Sequence, residues 1–347
     1  MSKSLPKISY GKIMEQNELI NNIVNGKKGF LIVDQNTFQC REILKDSPIY
    51  NFPFIKLKAG EEFKNLEQIS LIWEFLNKQN ASRNDIVFCL GGGVINDMGG
   101  FAASTFKRGL SFVNIPTTLL SMVDASIGGK TGFNFNHYKN NIGTFNQPLM
   151  VFSDSIFLNT LPKKELLSGM AEVIKHAIIG DKTLWEYLNE KNINNIDFSY
   201  IIKTSSNLKL EVVDKDPFEK NIRKSLNLGH TVGHAIESYL LDENQPIMHG
   251  FAVAKGIIIE AFFAHKLNLL SKSDFEEINN TINKYFNNSL NFNIDVSKIL
   301  SKMKGDKKNN SSNINFSLPN SIGKISIDNE ISIDTIEALL LEFLKND

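Results

Sequence analysis

The stretch Ile86-Val87-Phe88-Cys89-Leu90-Gly91-Gly92-Gly93-Val94-Ile95-Asn96-Asp97 decides the fold of the first half of the chain. Its apolar residues predict a buried strand, and the three glycines after them predict a tight turn into a helix. Two further apolar runs, Phe30–Asp34 and Phe112–Ile115, predict strands, and helices are predicted over 65–78 and 98–106. Strands that alternate with helices at this spacing predict βαβ units in a parallel, Rossmann-like sheet.

The glycine turn is a candidate phosphate site, because glycines let backbone N–H groups at a helix N-terminus approach an anion. It departs from the dinucleotide fingerprint, since Asn96 stands where the third glycine would fall. Asp34 and Asn36 follow a predicted strand end, where ligands of parallel sheets bind. Both are candidates to contact a ribose or base, and the alternative for Asp34 is a role as a turn or cap residue.

A second glycine-containing segment, 124–131, is similar to a Walker loop but has Asp124 where that loop requires glycine. The sequence therefore disfavours a P-loop NTPase. Lys130, Lys139 and Asn140 lie in a Gly- and Asn-rich segment that still predicts an anion cradle.

The second half is organised around Asn227-Leu228-Gly229-His230-Thr231-Val232-Gly233-His234-Ala235-Ile236-Glu237. Helical spacing places His230, His234 and Glu237 on one stripe, where two imidazoles can approach one ion. A zinc peptidase would have Glu in place of Thr231, so that class is excluded. Two unrelated histidines on a surface helix are the alternative, and a third histidine, His249, makes a metal site the better interpretation.

Glu172 is the best candidate for a carboxylate ligand. It lies in a segment, 169–176, whose apolar positions cover most of a helix and predict burial. A buried Glu with Lys175 three residues later requires a partner or a metal ion, whereas an exposed Glu–Lys helix pair is the alternative.

Composition sets the broad class of the protein. The chain has 347 residues, of which 42% are hydrophobic, and 38 basic residues balance 38 acidic ones. A net charge of zero argues against recruitment of nucleic acid or an anionic membrane. The two cysteines form no metal or redox motif, and neither a signal sequence nor a membrane span is expected, so a cytoplasmic location is predicted. From Lys163 the pattern becomes largely helical, and the predicted domains are 1–162 and 163–347.

Together these motifs resemble the 3-dehydroquinate synthase family, sugar-phosphate cyclases of the shikimate pathway, from about Asp34 to Gly323. The residues that carry the resemblance are Gly-Gly-Gly-Val-Ile-x-Asp at 91–97, Pro-Thr-Thr-Leu-Leu at 116–120, Val-Asp-x-Ser-Ile-Gly-Gly-Lys-Thr-Gly at 123–132, Lys-Asn at 139–140, Gly-Met-Ala-Glu-Val-Ile-Lys at 169–175, Leu-Asn-x-Gly-His-Thr-x-Gly-His-Ala-Ile-Glu at 226–237, His-Gly at 249–250 and Asp-Lys-Lys at 306–308. The resemblance implies an N-terminal NAD-binding α/β domain, a mostly α-helical C-terminal domain and a homodimer.

The implied activity is a carbon–oxygen lyase reaction that converts 3-deoxy-D-arabino-heptulosonate 7-phosphate to 3-dehydroquinate and phosphate. The implied cofactors are catalytic NAD and a divalent metal ion, Zn²⁺ or Co²⁺. Alternatives are an NAD- and metal-dependent polyol or glycerol dehydrogenase, which would release NADH, another sugar-phosphate cyclase, and a non-catalytic NAD-binding protein.

The resemblance also implies roles for particular residues. The implied metal ligands are Glu172, His230 and His249, with His234 outside them as a catalytic residue; helical spacing alone leaves that choice open. The implied NAD contacts are Asp34, Asn36, Gly60, Glu61, Lys64, Gly93, Val94, Ile95, Asn96, Asp97, Thr117, Thr118, Lys130, Lys139, Phe157, Leu158, Asn159 and Thr160. The implied substrate contacts are Arg108, Asp124, Lys130, Asn140, Lys175, Lys209, Arg223, Asn227 and Lys307. Asn96 and His176 depart from the family pattern, and a structural role is expected for His176.

Overall fold

The computed structural model describes residues 5–136, 138–304 and 313–346, except for the side chains at 288 and 346. The chain forms two compact units. The first contains the chain up to Pro162 together with Phe198–Leu210, and the second contains Lys163–Asp197 and the chain from Glu211 onward.

The first unit is built on a six-stranded parallel sheet of β1 Lys7–Tyr10, β2 Gly29–Asp34, β3 Phe54–Leu57, β4 Ile86–Gly91, β5 Ser111–Pro116 and β8 Met150–Ser153. The strand order in the sheet is β1-β8-β5-β4-β2-β3. The helices of this unit are α1 Asn17–Val24, α2 Leu66–Lys78, α3 Gly93–Thr105 and residues 198–210 of α6 Phe198–Lys215. This architecture confirms the predicted parallel α/β fold.

Burial explains why β2 and β4 occupy the inside of the sheet. Every residue of both strands is buried, as expected for apolar runs covered by helices on both faces of a parallel sheet. Helix α3 packs closely on this sheet because Gly99 has no side chain. A Cβ at Gly99 would lie 2.4 Å from the Cys89 sulfur.

An antiparallel ribbon of β6 Lys130–Phe135 and β7 Tyr138–Phe145 also belongs to the first unit. Gly132 and Gly143 are paired in it, and a Cβ on Gly143 would lie 2.3 Å from the Thr131 carbonyl oxygen. Lys130 therefore begins a strand. In a P-loop the corresponding lysine begins a helix, so the fold also disfavours a P-loop NTPase.

The second unit is mainly helical. Its helices are α4 Lys163–Gly180, α5 Lys182–Glu190, the end of α6, α7 His230–Asp242, α8 His249–Lys266, α9 Lys272–Phe286, α10 Val296–Lys304 and α11 Ile333–Asn346. Helix α8 is central, since every residue from Gly250 to Ala264 is buried. An antiparallel hairpin of β9 Asn313–Ser321 and β10 Lys324–Ser332, which the sequence pattern did not predict, also belongs to this unit. Among the described residues, no helix is both long and apolar enough to cross a membrane.

Candidate functional site

Two helices of the second unit bring histidines to one buried carboxylate on a third helix. Glu172 on α4 is 1% exposed, while His230 and His249 are the first residues of α7 and α8. The Nε2 atom of each histidine lies 3.6 Å from Oε1 of Glu172. His234 lies beside them, its ring centroid 5.1 Å from that of His230 and 5.6 Å from that of His249. These are the residues that the sequence predicted to lie together.

Glycines set the positions of these helices, because their backbones touch where side chains would collide. A Cβ on Gly256 of α8 would lie 2.1 Å from the carbonyl oxygen of Gly229, just before α7. A Cβ on Gly250 would lie 2.0 Å from the carbonyl oxygen of Ser168 on α4, whose hydroxyl accepts the Gly250 N–H at 3.0 Å. Gly229 thus lies directly against the backbone of α8.

The remaining ring nitrogens of His230 and His249 face oxygen acceptors. Nδ1 of His230 lies 3.1 Å from the Leu228 carbonyl oxygen, and Nδ1 of His249 lies 3.4 Å from Oε2 of Glu237. Because these oxygens accept a hydrogen bond from Nδ1–H, Nε2 of a neutral ring keeps its lone pair on the side of Glu172. Ligating histidines in metalloproteins are held in this way, and imidazole nitrogens with a carboxylate oxygen suit zinc. The donor set therefore fits a divalent cation.

Charges around the site act differently on the two histidines. Burial, reinforced by Lys175, lowers the pKa of His230 well below its usual value, although Glu172 opposes the shift. Burial would also lower the pKa of His249, but Glu172 and Glu237 outweigh it and raise that pKa to about 9. A bound cation would take the place of the proton on His249, since a ligating imidazole is neutral.

Lys175 is buried beside Glu172 and forms an ion pair with it one helical turn away. The burial predicted for Glu172 and Lys175 is therefore confirmed. His176, which follows on the same helix, is fully buried. The proposed contact of Lys175 with substrate remains a prediction.

The glycine turn of the first unit leads directly into α3. Gly92 is the N-cap and offers no side chain to the first N–H groups of the helix, as a phosphate site requires. Asn96 is buried in the first turn, and its side-chain amide donates to the Gly91 carbonyl oxygen at 3.3 Å. The turn therefore accommodates asparagine by bonding it to its own backbone.

A polar cluster lies at Lys64 in the same unit. Its Nζ is 2.6 Å from the Asp97 carboxylate and 2.5 Å from the Asn140 side-chain oxygen. Burial would lower the pKa of Lys64, but Asp97 and Glu61 outweigh it and raise that pKa. Three residues that are distant in sequence are thus brought together by the fold.

Asp34 serves as a turn residue. Its Oδ1 accepts the backbone N–H groups of Asn36 at 2.9 Å and Thr37 at 2.7 Å. Of the two roles considered for Asp34, the structural one is therefore observed. A contact from Asp34 or the exposed Asn36 to NAD stays a prediction.

The other predicted cofactor contacts lie at turns and strand ends of the first unit. Gly60 has φ +122° and precedes the turn Glu61–Phe63, and Val94 and Ile95 lie in the first turn of α3. The backbone N–H of Thr117 donates to the Gly91 carbonyl oxygen at 3.0 Å. The residues that remain are Thr118 after β5, Lys130 and Lys139 in the ribbon, and Phe157, Leu158, Asn159 and Thr160 in the 3₁₀ turn Ser155–Thr160.

The predicted substrate contacts are divided between the two units. In the first, Lys209 forms an ion pair with Asp124 at 2.7 Å, and Arg108 is exposed with φ +66°. In the second, the buried Arg223 donates to the Pro217 carbonyl oxygen at 2.7 Å, and Asn227 donates to the Glu219 carboxylate at 3.0 Å. Lys307, within the 306–308 motif, lies outside the described residues.

Comparison with protein families gives two adjoining matches. Residues 54–168 match the 3-dehydroquinate synthase N-terminal family, and residues 169–309 match the 3-dehydroquinate synthase C-terminal family. The 3-dehydroquinate synthase of Parabacteroides distasonis is 40% identical over 314 residues, which cover 89% of each chain. That of Prochlorococcus marinus (strain MIT 9312) is 39% identical over 354 residues, which cover 99% of this chain and 92% of the relative.

Solved structures share the fold. A 2-deoxy-scyllo-inosose synthase in complex with carbaglucose-6-phosphate, NAD⁺ and Co²⁺ has a TM-score of 0.86 at 23% identity, covering 98% of this chain and 99% of that one. The 2-epi-5-epi-valiolone synthase of Streptomyces hygroscopicus, with NAD⁺ and Zn²⁺ bound, has a TM-score of 0.86 at 23% identity, covering 100% and 99%. An iron-containing alcohol dehydrogenase of Thermotoga maritima is more distant, with a TM-score of 0.64 at 17% identity and 98% coverage of both chains.

Proposed function

Because this chain belongs to the 3-dehydroquinate synthase family, we propose that it works with catalytic NAD and one divalent metal ion, Zn²⁺ or Co²⁺. As a 3-dehydroquinate synthase it is a carbon–oxygen lyase, which converts 3-deoxy-D-arabino-heptulosonate 7-phosphate to 3-dehydroquinate and phosphate. When bound, NAD supplies reversible oxidation of a substrate alcohol, and the metal ion supplies positive charge that polarises the substrate's oxygens.

One observation carries the metal proposal: the Nε2 atoms of His230 and His249 lie at equal distances, 3.6 Å, from Oε1 of Glu172. Glu172, His230 and His249 are the proposed ligands. His234 also offers a nitrogen within 4.8 Å of a nitrogen of each of the other two histidines, but its side chain is exposed. We therefore assign His234 to proton transfer, the commonest catalytic role of an imidazole side chain.

The proposed NAD site lies in the first unit. The uncapped N-terminus of α3 offers backbone N–H groups to the pyrophosphate. Asp97 of the same helix forms a polar cluster with Lys64 and Asn140, which belongs to the proposed site. This proposal includes the predicted NAD contacts from turns and strand ends of the first unit, which are Asp34, Asn36, Gly60, Glu61, Thr117, Thr118, Lys139 and residues 157–160.

The substrate carries a phosphate and a carboxylate, so cations must hold it. Arg108, Lys130, Lys175, Lys209 and Arg223 are the proposed cationic contacts, and arginine provides bidentate geometry to both anions. Asp124, Asn140 and Asn227 are proposed to contact its hydroxyl groups. A homodimer and a cytoplasmic location stay predictions as well.

The metal proposal is tested by comparing two histidines of α8. His249→Ala should abolish stoichiometric zinc or cobalt binding, because it removes a proposed ligand. His265→Ala is the matched control, since His265 stacks on Phe275 at the other end of the helix. Metal content after dialysis and calorimetric titration give the result. Retention of one tightly bound ion per chain in His249→Ala would overturn the proposed ligand set.

A further inference from the structure

A buried carboxylate on α8 contacts the start of α7. Glu260 is fully buried in an otherwise apolar stretch of α8. Its Oε2 accepts the backbone N–H of Gly229 at 2.6 Å, and its Oε1 accepts the backbone N–H of Val232 at 3.0 Å. Gly229 is the N-cap residue of α7, with φ +76°, and has no side chain that could accept hydrogen bonds from these N–H groups. Glu260 therefore caps α7 from a neighbouring helix.

Gly229 and Val232, which donate to Glu260, lie on either side of His230 in the sequence, and His230 is the first residue of α7. Their main-chain N–H groups belong to the four that a helix leaves unpaired at its start. Because one buried carboxylate accepts both N–H groups, it determines where the first turn of α7 begins and how that turn is oriented. The position of the His230 side chain follows from that of its backbone.

Helix α8 also carries His249, eleven residues before Glu260. Eleven residues are about three helical turns, so the two side chains share a face of α8. At Gly256, between them, the backbone of α8 touches that of Gly229. One helix thus supplies His249 directly and holds the turn that supplies His230.

We propose that Glu260 is a positioning residue of the metal centre, which holds His230 in register with His249 so that both Nε2 atoms face Glu172. This inference rests on the proposed metal site. Partners outside the ligand shell that orient ligands commonly change metal affinity by about 10- to 100-fold when they are replaced. A carboxylate that only stabilised the packing of two helices would not have this effect.

The test is the affinity of the full-length protein for Zn²⁺, measured by competition with a chelator. In Glu260→Gln one acceptor oxygen becomes an N–H₂ group that faces a backbone N–H, so the first turn of α7 must shift. We expect zinc affinity to fall by about 10-fold or more. Cobalt titration adds a spectroscopic readout, because a displaced histidine changes the visible spectrum of bound Co²⁺.

The control is Asp181→Ala, which removes the N-cap of α5; the Asp181 carboxylate accepts the Leu184 N–H at 2.9 Å. Helix α5 provides none of the proposed ligands, so this variant should lower the melting temperature and keep wild-type zinc affinity. Wild-type affinity in Glu260→Gln, or an equal loss in Asp181→Ala, would overturn the inference. If the wild-type protein itself binds no zinc, the proposed metal site fails and this inference fails with it.

A second measurement applies if Glu260→Gln does not fold. Coupling between two sites is reciprocal, so a cap that favours metal binding must itself be strengthened by the metal. Zinc should slow hydrogen exchange of the Gly229 and Val232 amides in the wild-type protein by about tenfold more than that of the Leu184 amide. Equal effects at all three amides would contradict the inference.

Discussion

His234 lies on the same helix stripe as His230, yet the proposed mechanism gives it a different role. Its ring is perpendicular to that of His230, with an interplanar angle of 88°, and its side chain is exposed while Glu172 is buried. An exposed imidazole can exchange protons with substrate or water, whereas a ligand needs a fixed position. We base the proposed distinction between ligand and proton carrier on burial, since His230 and His249 are partly buried and His234 is exposed.

The His234→Ala variant should retain the metal ion and have a lower kcat. We expect kcat to fall by about 100-fold or more, which is typical when a general acid or base is removed. Metal content should remain at the wild-type level, since the proposed ligands are intact. Elemental analysis of dialysed protein alongside steady-state rates checks both statements. Stoichiometric loss of metal in this variant would make His234 a ligand.

At the level of single residues, the sequence predicted the three histidines and Glu172 but missed Glu260. A glutamate within the otherwise apolar run Gly256–Ala264 was the available signal, because a buried acid requires partners. What it contacts depends on how α7 and α8 pack, and spacing along one helix does not contain that information. The role of His249 Nδ1 toward Glu237 was hidden for the same reason.

At the scale of elements, one aspartate directly after α6 stabilises the segment 216–223 that follows this helix. Asp216 is 6% exposed, and its carboxylate accepts the backbone N–H groups of Lys220 at 3.0 Å, Asn221 at 2.6 Å and Arg223 at 3.1 Å. Burial raises the pKa of Asp216, but these N–H groups outweigh it, and the net shift is downward. The loop that carries Arg223 depends on this charged acceptor.

Asp216→Asn should therefore destabilise the protein in a pH-dependent manner. A depressed pKa contributes stability above the unfolded value near 3.9, and this contribution is lost as the pH falls through the folded pKa. At pH 7 we expect the free energy of unfolding to drop by roughly 2 kcal/mol, and the difference from wild type to shrink below about pH 4. Urea unfolding across this pH range measures it. Asp214→Asn, at an exposed position of α6, is the control; a pH-independent difference for Asp216→Asn would contradict the argument.

The sequence predicted elements well where one pattern dominates. Strands β2 and β4 and helix α2 appeared within one residue of their predicted bounds, because apolar runs and the Asn65 cap mark them. The hairpin β9–β10 was missed, although Ile325 and Ile327 alternate with polar residues before Asp328. The pairing of β9 with β10 contains register shifts, which interrupt the regular alternation of apolar and polar residues. Pro319 in β9 also argues against a strand when only the sequence is considered.

At the scale of the whole molecule, the proposed cofactors belong to different units. Glu172, His230 and His249 lie in the second, and the α3 N-terminus with Lys64, Asp97 and Asn140 lies in the first. Backbone N–H groups at a helix N-terminus need no metal ion to bind a phosphate. NAD and metal should therefore bind largely independently.

Chelating the metal tests this independence. Metal-free protein should lose phosphate release but keep NAD⁺ affinity within about tenfold, or 1.4 kcal/mol, of the metal-loaded enzyme. Calorimetric titration of NAD⁺ into both forms gives the comparison, and restored activity on adding zinc or cobalt shows that the chelated chain stayed intact. Loss of NAD⁺ binding by a folded, metal-free chain would mean that the two sites are coupled.

As proposed above, this chain uses NAD as a catalyst that is regenerated in each turnover. The most direct measurement follows phosphate and NADH together after 3-deoxy-D-arabino-heptulosonate 7-phosphate is added to metal-loaded enzyme with NAD⁺ at about one tenth of the substrate concentration. The proposed mechanism predicts that phosphate release exceeds the NAD⁺ present several-fold, that 3-dehydroquinate forms in equal amount, and that NADH does not accumulate. Phosphate release that stops at the amount of NAD⁺, or NADH accumulation with this substrate or a simple polyol, would contradict it and favour a dehydrogenase.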